Sequence, residues 1–145
     1  MDIRILTVRQ PWATALVAAG KDVENRRWGT AYRGWILVHA GKAIDGQAPR
    51  IPGLGDPRAL PLGGVVGAIR LDDVRRDHRG PWADPGCWHW YHDPSVAIRL
   101  DDPISWRGGQ GLTRAPSSLL QLLPERVTDR IGCPLVSSSG GSILE

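Results

Sequence analysis

Residues 34–40 read GWILVHA, and this run constrains the fold more than any other stretch. Trp35, Leu37 and His39 alternate onto one side, Ile36 and Val38 onto the other. A strand apolar on both sides needs cover on both, so it belongs at the centre of a sheet. Other strand signals surround it, at residues 4–8, 22–28, 64–74, 87–91, 96–100 and 111–114. Gly67 inside the third of these predicts a bulge or a close backbone approach.

Helical signals are few. Pro11 suits a first helical turn, where its missing N–H costs nothing. Trp12, Ala15, Leu16 and Ala19 follow at helical spacing, and Gly20 is placed to end the helix. A second short helix is expected over 116–123, with Ser117 and Ser118 in its first turn. Residues 41–62 are rich in Gly and Pro and form an excursion, with at most a short helix near 56–60. Residues 75–86 read as loop. The expected architecture is α+β and mostly β, either a small barrel or an α+β sheet. A domain over 1–123 is expected, with a C-terminal extension over 124–145 that is partly flexible and ends SSSGGSILE.

Composition narrows the function classes. The 145 residues are 41% hydrophobic and 23% charged, a globular balance. No run approaches the roughly 18 apolar residues that span a bilayer, and the first residues lack a signal peptide. No membrane partner and a cytoplasmic location are therefore expected. Cys87 and Cys133 cannot build a disulfide framework, and neither sits in a CxxC pair. His89 and His92 fall on different strand faces, so no metal site is expected, nor any cofactor. A monomer is favoured.

The charge is uneven. Residues 1–50 hold eight Lys/Arg against four Asp/Glu, whereas the remainder is nearly balanced. Arg outnumbers Lys sixteen to two. Arg suits planar recognition of phosphates and bases, and GC-rich coding favours it equally. The aromatic set is seven Trp, two Tyr and no Phe. In a Phe-free chain Trp must fill core, and Trp35, Trp88 and Trp90 are assigned there. Trp82 and Trp106 fall in loops and have no assigned place. Trp12 and Trp28 flank the segment that concentrates the charged residues.

That segment is Gly20-Lys21-Asp22-Val23-Glu24-Asn25-Arg26. Lys21 and Arg26 supply donors for a phosphate or base carbonyl, and Glu24 accepts from an exocyclic amine. An ion pair that only braces the strand is the bland alternative. Trp12 or Trp28 is placed to stack on a base, and His39 reads as a satisfied core histidine or a site residue. Gly20, Lys21, Glu24 and Arg26 resemble the GxKxxExR hallmark of the ASCH domain family, a PUA-like branch, with the glycine directly before the lysine. The entry RQPWA (Arg9 to Ala13), the Tyr32-Arg33-Gly34 turn and the end of the central strand at His39 to Lys42 are similar to one bacterial ASCH group. Pro81-Trp82-Ala83, Trp88-His89-Trp90 and Arg107-Gly108…Gly111-Leu112 extend that resemblance over about residues 3–115.

The resemblance implies a small, mostly closed β-barrel of about five to six strands, with the early helix across one opening. It implies binding of RNA or of a modified nucleobase or nucleotide in a cleft beside the motif. Arg9, Gln10, Trp12, Lys21, Glu24, Arg26, Trp28 and His39 are the expected ligand-binding residues. Other branches imply metal-independent hydrolysis of N4-acylated cytidine, or ribonuclease action. Lys21 and Glu24 would be catalytic in such an enzyme. The amidohydrolase branch carries Thr where this chain has Glu24, which leaves Thr7 or Thr14 to supply a hydroxyl.

Overall fold

A computed structural model describes residues 2–77 and 80–132. Strand β1 (Arg4–Gln10) enters helix α1 (Trp12–Ala18), which leads to β2 (Val23–Arg26) and β3 (Gly34–Ile44). Then come β4 (Gly64–Arg75), β5 (Trp88–His92), β6 (Ile98–Ser105) and β7 (Leu112–Arg114). Helices α2 (Ser117–Leu120) and α3 (Glu125–Ile131) finish the described chain.

The central position of β3 follows from its apolar faces. It runs parallel to β1 on one edge and antiparallel to β4 on the other. The parallel pairing needs a crossover, and α1 with β2 provides it. Leu16 and Val17 of α1 pack with Leu6, Ile36, Val38 and Trp90 on one face of the sheet. Leu119 of α2 and Val127 and Ile131 of α3 pack with Ile5, Leu37 and Ile98 on the other. Both faces are thus covered. The segment from residue 124 therefore begins with a helix seated in the core, while residues 133–145, with Cys133 and the SSSGGSILE end, lie outside the described residues.

The chain is α+β and mostly strand, as expected, but the expected mostly closed barrel of five to six strands is corrected. Seven strands form one open sheet in the order β2-β5-β4-β3-β1-β7, with β6 branching from β4. Closure would require a ladder between the two ends of that path, and among the described residues none is present. Strand β7 has three residues, and its pairing with β1 stops at Leu6. Beyond it, the carbonyl of Thr7 accepts from Nη2 of Arg26 on β2 at 2.7 Å. A side chain, rather than a strand, therefore spans from one end of the path toward the other.

Gly67 carries the close approach that its position predicts. Register shifts in both the β3–β4 and β4–β6 ladders fall beside it. A Cβ there would sit 2.1 Å from the Ile98 carbonyl and 2.9 Å from Val17 Cγ1. The glycine lets β6 and α1 press against β4.

Candidate functional site

Lys21 is placed by the end of α1. Gly20 takes a left-handed φ of 74°, which a side chain would resist, and the Lys21 N–H turns back to the Ala15 carbonyl at 3.2 Å. The Lys21 carbonyl accepts from His92 Nε2 at 2.7 Å. Its side chain is 3% exposed, and Nζ donates to the Val23 carbonyl. Nζ also lies 3.5 Å from Glu24 Oε1 and 5.5 Å from the centre of the Trp12 ring. Burial pushes its pKa down, and the Glu24 carboxylate opposes that shift.

Glu24 pairs with Trp90 across the β2–β5 ladder and is nearly buried. Its second oxygen lies 3.0 Å from Arg26 Nε. One carboxylate thus sits between two cations, and the pleat brings Glu24 and Arg26 to one side. Asn25 points elsewhere and fixes a loop. Its Nδ2 donates to the Trp82 carbonyl at 2.9 Å, and its Oδ1 accepts from the Asp84 N–H at 2.9 Å. His89 Nε2 donates to the Asp84 carbonyl at 2.6 Å. These bonds carry Trp82 to the motif, where it meets Trp12 edge-on, with centroids 6.5 Å apart and planes at 82°.

Trp12 is fixed in turn. Its indole N–H donates to Asp45 Oδ2 at 3.0 Å. That bond, with the Gln47 N–H and nearby Arg9, holds the Asp45 carboxyl below the ordinary carboxylate range. Together Thr7, Arg9, Trp12, Lys21, Glu24, Arg26 and Trp82 line a cleft of about 510 Å³, within the size range of small-molecule sites. The Arg9 side chain makes no hydrogen bond or ion pair with another described residue.

The other expected site residues lie elsewhere. Gln10 is fully buried. Its Oε1 accepts from the Thr14 N–H at 3.0 Å, and its Nε2 donates to Thr14 Oγ1 and the Pro61 carbonyl, both at 2.9 Å. Its amide is committed to the first turn of α1, a structural role. Trp28 follows the end of β2, where alternation no longer applies. It packs edge-on against Trp90 at 4.8 Å, its carbonyl accepts the Trp90 indole N–H, and it does not line the cleft. Thr14 is buried against Gln10. The Tyr32 hydroxyl lies between the carbonyls of Asp2 and Trp35, at 2.8 and 2.6 Å.

His39 lines a second cleft of about 450 Å³ instead. A carbonyl only accepts, so the 2.7 Å contact with the Trp106 carbonyl places the proton on His39 Nε2. His39 Nδ1 then accepts from the Thr7 hydroxyl at 3.0 Å. Gly108 closes over this pair, since a Cβ there would lie 2.3 Å from Thr7 Oγ1. Lys21 and Glu24 are thus brought together, and His39 and Tyr32 are not brought to them.

The ASCH domain family model matches residues 6–87. The chain belongs to the ASCH domain family. That family is PUA-like and is associated with RNA binding. No curated protein matches the chain. The matched span of this ASCH chain contains β1 from Leu6 onward, α1, the Lys21–Arg26 segment and the loop that carries Trp82. Among its described residues no cluster of three or more His, Cys, Asp or Glu is placed to hold a metal ion. No helix among them is long and apolar enough to cross a membrane.

Sequence reasoning missed Trp82, Asp45 and Asp84. Trp82 sits in a loop without periodicity, so only the amide of Asn25 places it. Asp45 follows β3 beyond the apolar run and carries no pattern of its own.

Proposed function

We propose that the cleft of this chain receives one base of an RNA strand. The convergence of Lys21, Glu24 and Arg26 with two tryptophans in one concavity carries this reading. Trp12 and Trp82 offer apolar walls, and stacking of a base on such a wall is worth roughly 1–3 kcal/mol. Glu24, held between Lys21 and Arg26, accepts a hydrogen bond from an exocyclic amine such as cytosine N4.

The test is binding of fluorescein-labelled pentacytidylate at low salt, read by anisotropy. Affinity is expected to exceed that for pentauridylate, which has no exocyclic amine. Trp82→Ala is expected to lower affinity by about 5- to 150-fold, the equivalent of one stacked base. Binding that is absent at low salt, or unchanged in both Trp82→Ala and Lys21→Ala, rejects the reading.

One observation favours a second reading, hydrolysis of N4-acylated cytidine. Burial lowers the pKa of a lysine held at the cleft wall beside a carboxylate. In that step Lys21, once it has lost its proton, takes one from water, and the resulting hydroxide adds to the acyl carbonyl. The C–N bond then breaks, and N4 takes the proton from Lys21, leaving cytidine and a carboxylic acid. Water is the nucleophile, because Thr14 is buried and Thr7 Oγ1 is turned to His39. Release of cytidine from N4-acetylcytidine, lost in Lys21→Ala, is the expected result. No turnover above that variant overturns this reading.

A further inference from the structure

Two clefts meet at Thr7, and their chemistry differs. The first carries the carboxylates of Glu24, Asp45 and Asp84 along with its cations. The second carries no carboxylate at all. It is lined by Lys42 and Arg107, by Thr7 and Ser105, which carry hydroxyls, and by Trp106. Neither the Lys42 nor the Arg107 side chain makes a hydrogen bond or ion pair with another described residue, and both residues are exposed. Cations with no internal partner, beside hydroxyl donors and no competing anion, suit a phosphodiester. Carboxylates suit an amine-bearing base and repel a phosphate. The two clefts are therefore complementary to two different parts of one ligand.

We propose that the Lys42–Arg107 cleft holds the phosphate and the neighbouring nucleotide of the same strand whose base occupies the first cleft. The inference rests on the base-binding reading and narrows its ligand to an oligonucleotide instead of a free nucleoside. At about 450 Å³ the second cleft has room for one nucleotide unit. Trp106 lines it, with its carbonyl held by the bond from His39 Nε2 and its side chain packed against the core. The Thr7–His39 pair between the clefts is the floor over which the backbone passes.

The experiment compares cytidine with pentacytidylate on wild type, Lys21→Ala and the double variant Lys42→Ala/Arg107→Ala. Cytidine is followed by the indole N–H resonances in NMR, and the pentamer by anisotropy across a salt series. Melting midpoints check that each variant folds. Pentacytidylate is expected to bind wild type at least tenfold more tightly than cytidine. The double variant is expected to lose that advantage, leave cytidine binding unchanged and flatten the salt slope by about 0.7, the contribution of one single-strand phosphate contact. Unchanged pentamer affinity and slope in the double variant overturn the second subsite, and cytidine binding then shows that the first still stands. Loss of pentamer binding in the double variant, with Lys21→Ala inert toward both ligands, rejects the base reading and keeps the basic cleft. An acidic peptide of equal charge that displaces the pentamer equally well also overturns the proposal. No binding of either ligand at low salt removes both.

Discussion

Glu24 shows how a short motif becomes a site. It touches Lys21 and Arg26 with separate oxygens, so each cation orients the carboxylate and is held by it. The spacing made this legible, because strand alternation alone puts Glu24 and Arg26 on one side. Gln10 was not legible in the same way. As a polar residue beside Arg9 and Trp12 it read as a ligand contact, yet its amide satisfies the N–H and hydroxyl of Thr14. Nothing in the spacing distinguishes a cap from a contact. His92 belongs to the same scale. It is buried, and burial is the main cause that pushes its pKa below the ordinary 6.5, while the bond to the Lys21 carbonyl opposes the shift. In the window between the lowered value and 6.5 the unfolded chain binds more protons than the folded one. Stability therefore rises with pH through that window, is complete above 6.5, and is lost as pH falls. His92→Gln keeps an amide donor for the Lys21 carbonyl without a titrating ring. Urea midpoints from pH 7.5 to 5 should fall more for wild type than for the variant. Parallel curves would refute the assignment.

Among elements, β3 was the most legible. Its two apolar faces required two covering layers, and α1 and the α2–α3 pair provide them. Helix α3 was not legible as an element. Its inward contacts are few, with Val127 and Ile131 the apolar ones, in a segment otherwise rich in charge. A pair four residues apart is too short a pattern to separate from loop. Gly67 was legible as a bulge, though not by what it admits. The atom nearest a Cβ there is a backbone oxygen of β6, which cannot swing aside as a long side chain would. Gly67→Ala must therefore part β4 from β6 or lift α1 through Val17. A destabilisation of about 3 kcal/mol is expected, at the upper end of overpacking costs. Chemical denaturation at pH 7 measures it, and a loss below about 0.5 kcal/mol would show that the register shifts absorb the methyl group.

At the scale of the whole molecule, the open sheet and the cleft are one feature. A closed ladder would use the edge of β1 beyond Leu6 for backbone pairing. Here β7 ends too soon, and the Thr7 carbonyl is taken by Arg26 from the far end of the strand path. The gap is where Lys21, Glu24 and the two tryptophans gather. The three residues of β7 gave no sign of where the ladder would stop, so the strand pattern left a barrel and an α+β sheet equally open; the barrel came from the family resemblance, and the structure leaves the sheet open. Arg26 then has two roles, one toward Glu24 and one toward Thr7. A charge-assisted hydrogen bond of the second kind contributes about 1.5–3 kcal/mol. Arg26→Ala should lower global stability by about that amount and release the two ends of the path from each other. The loss should be uneven, because β3 and β4 keep all their ladder partners. Amide hydrogen exchange is the decisive measurement. Protection is expected to fall at residues 7–9 of β1 and 23–26 of β2, and to persist through residues 36–38 and 68–71 at the centre of the sheet. A uniform fall in protection would mean that Arg26 stabilises the fold only as a whole, and that the gap is not held by a side chain.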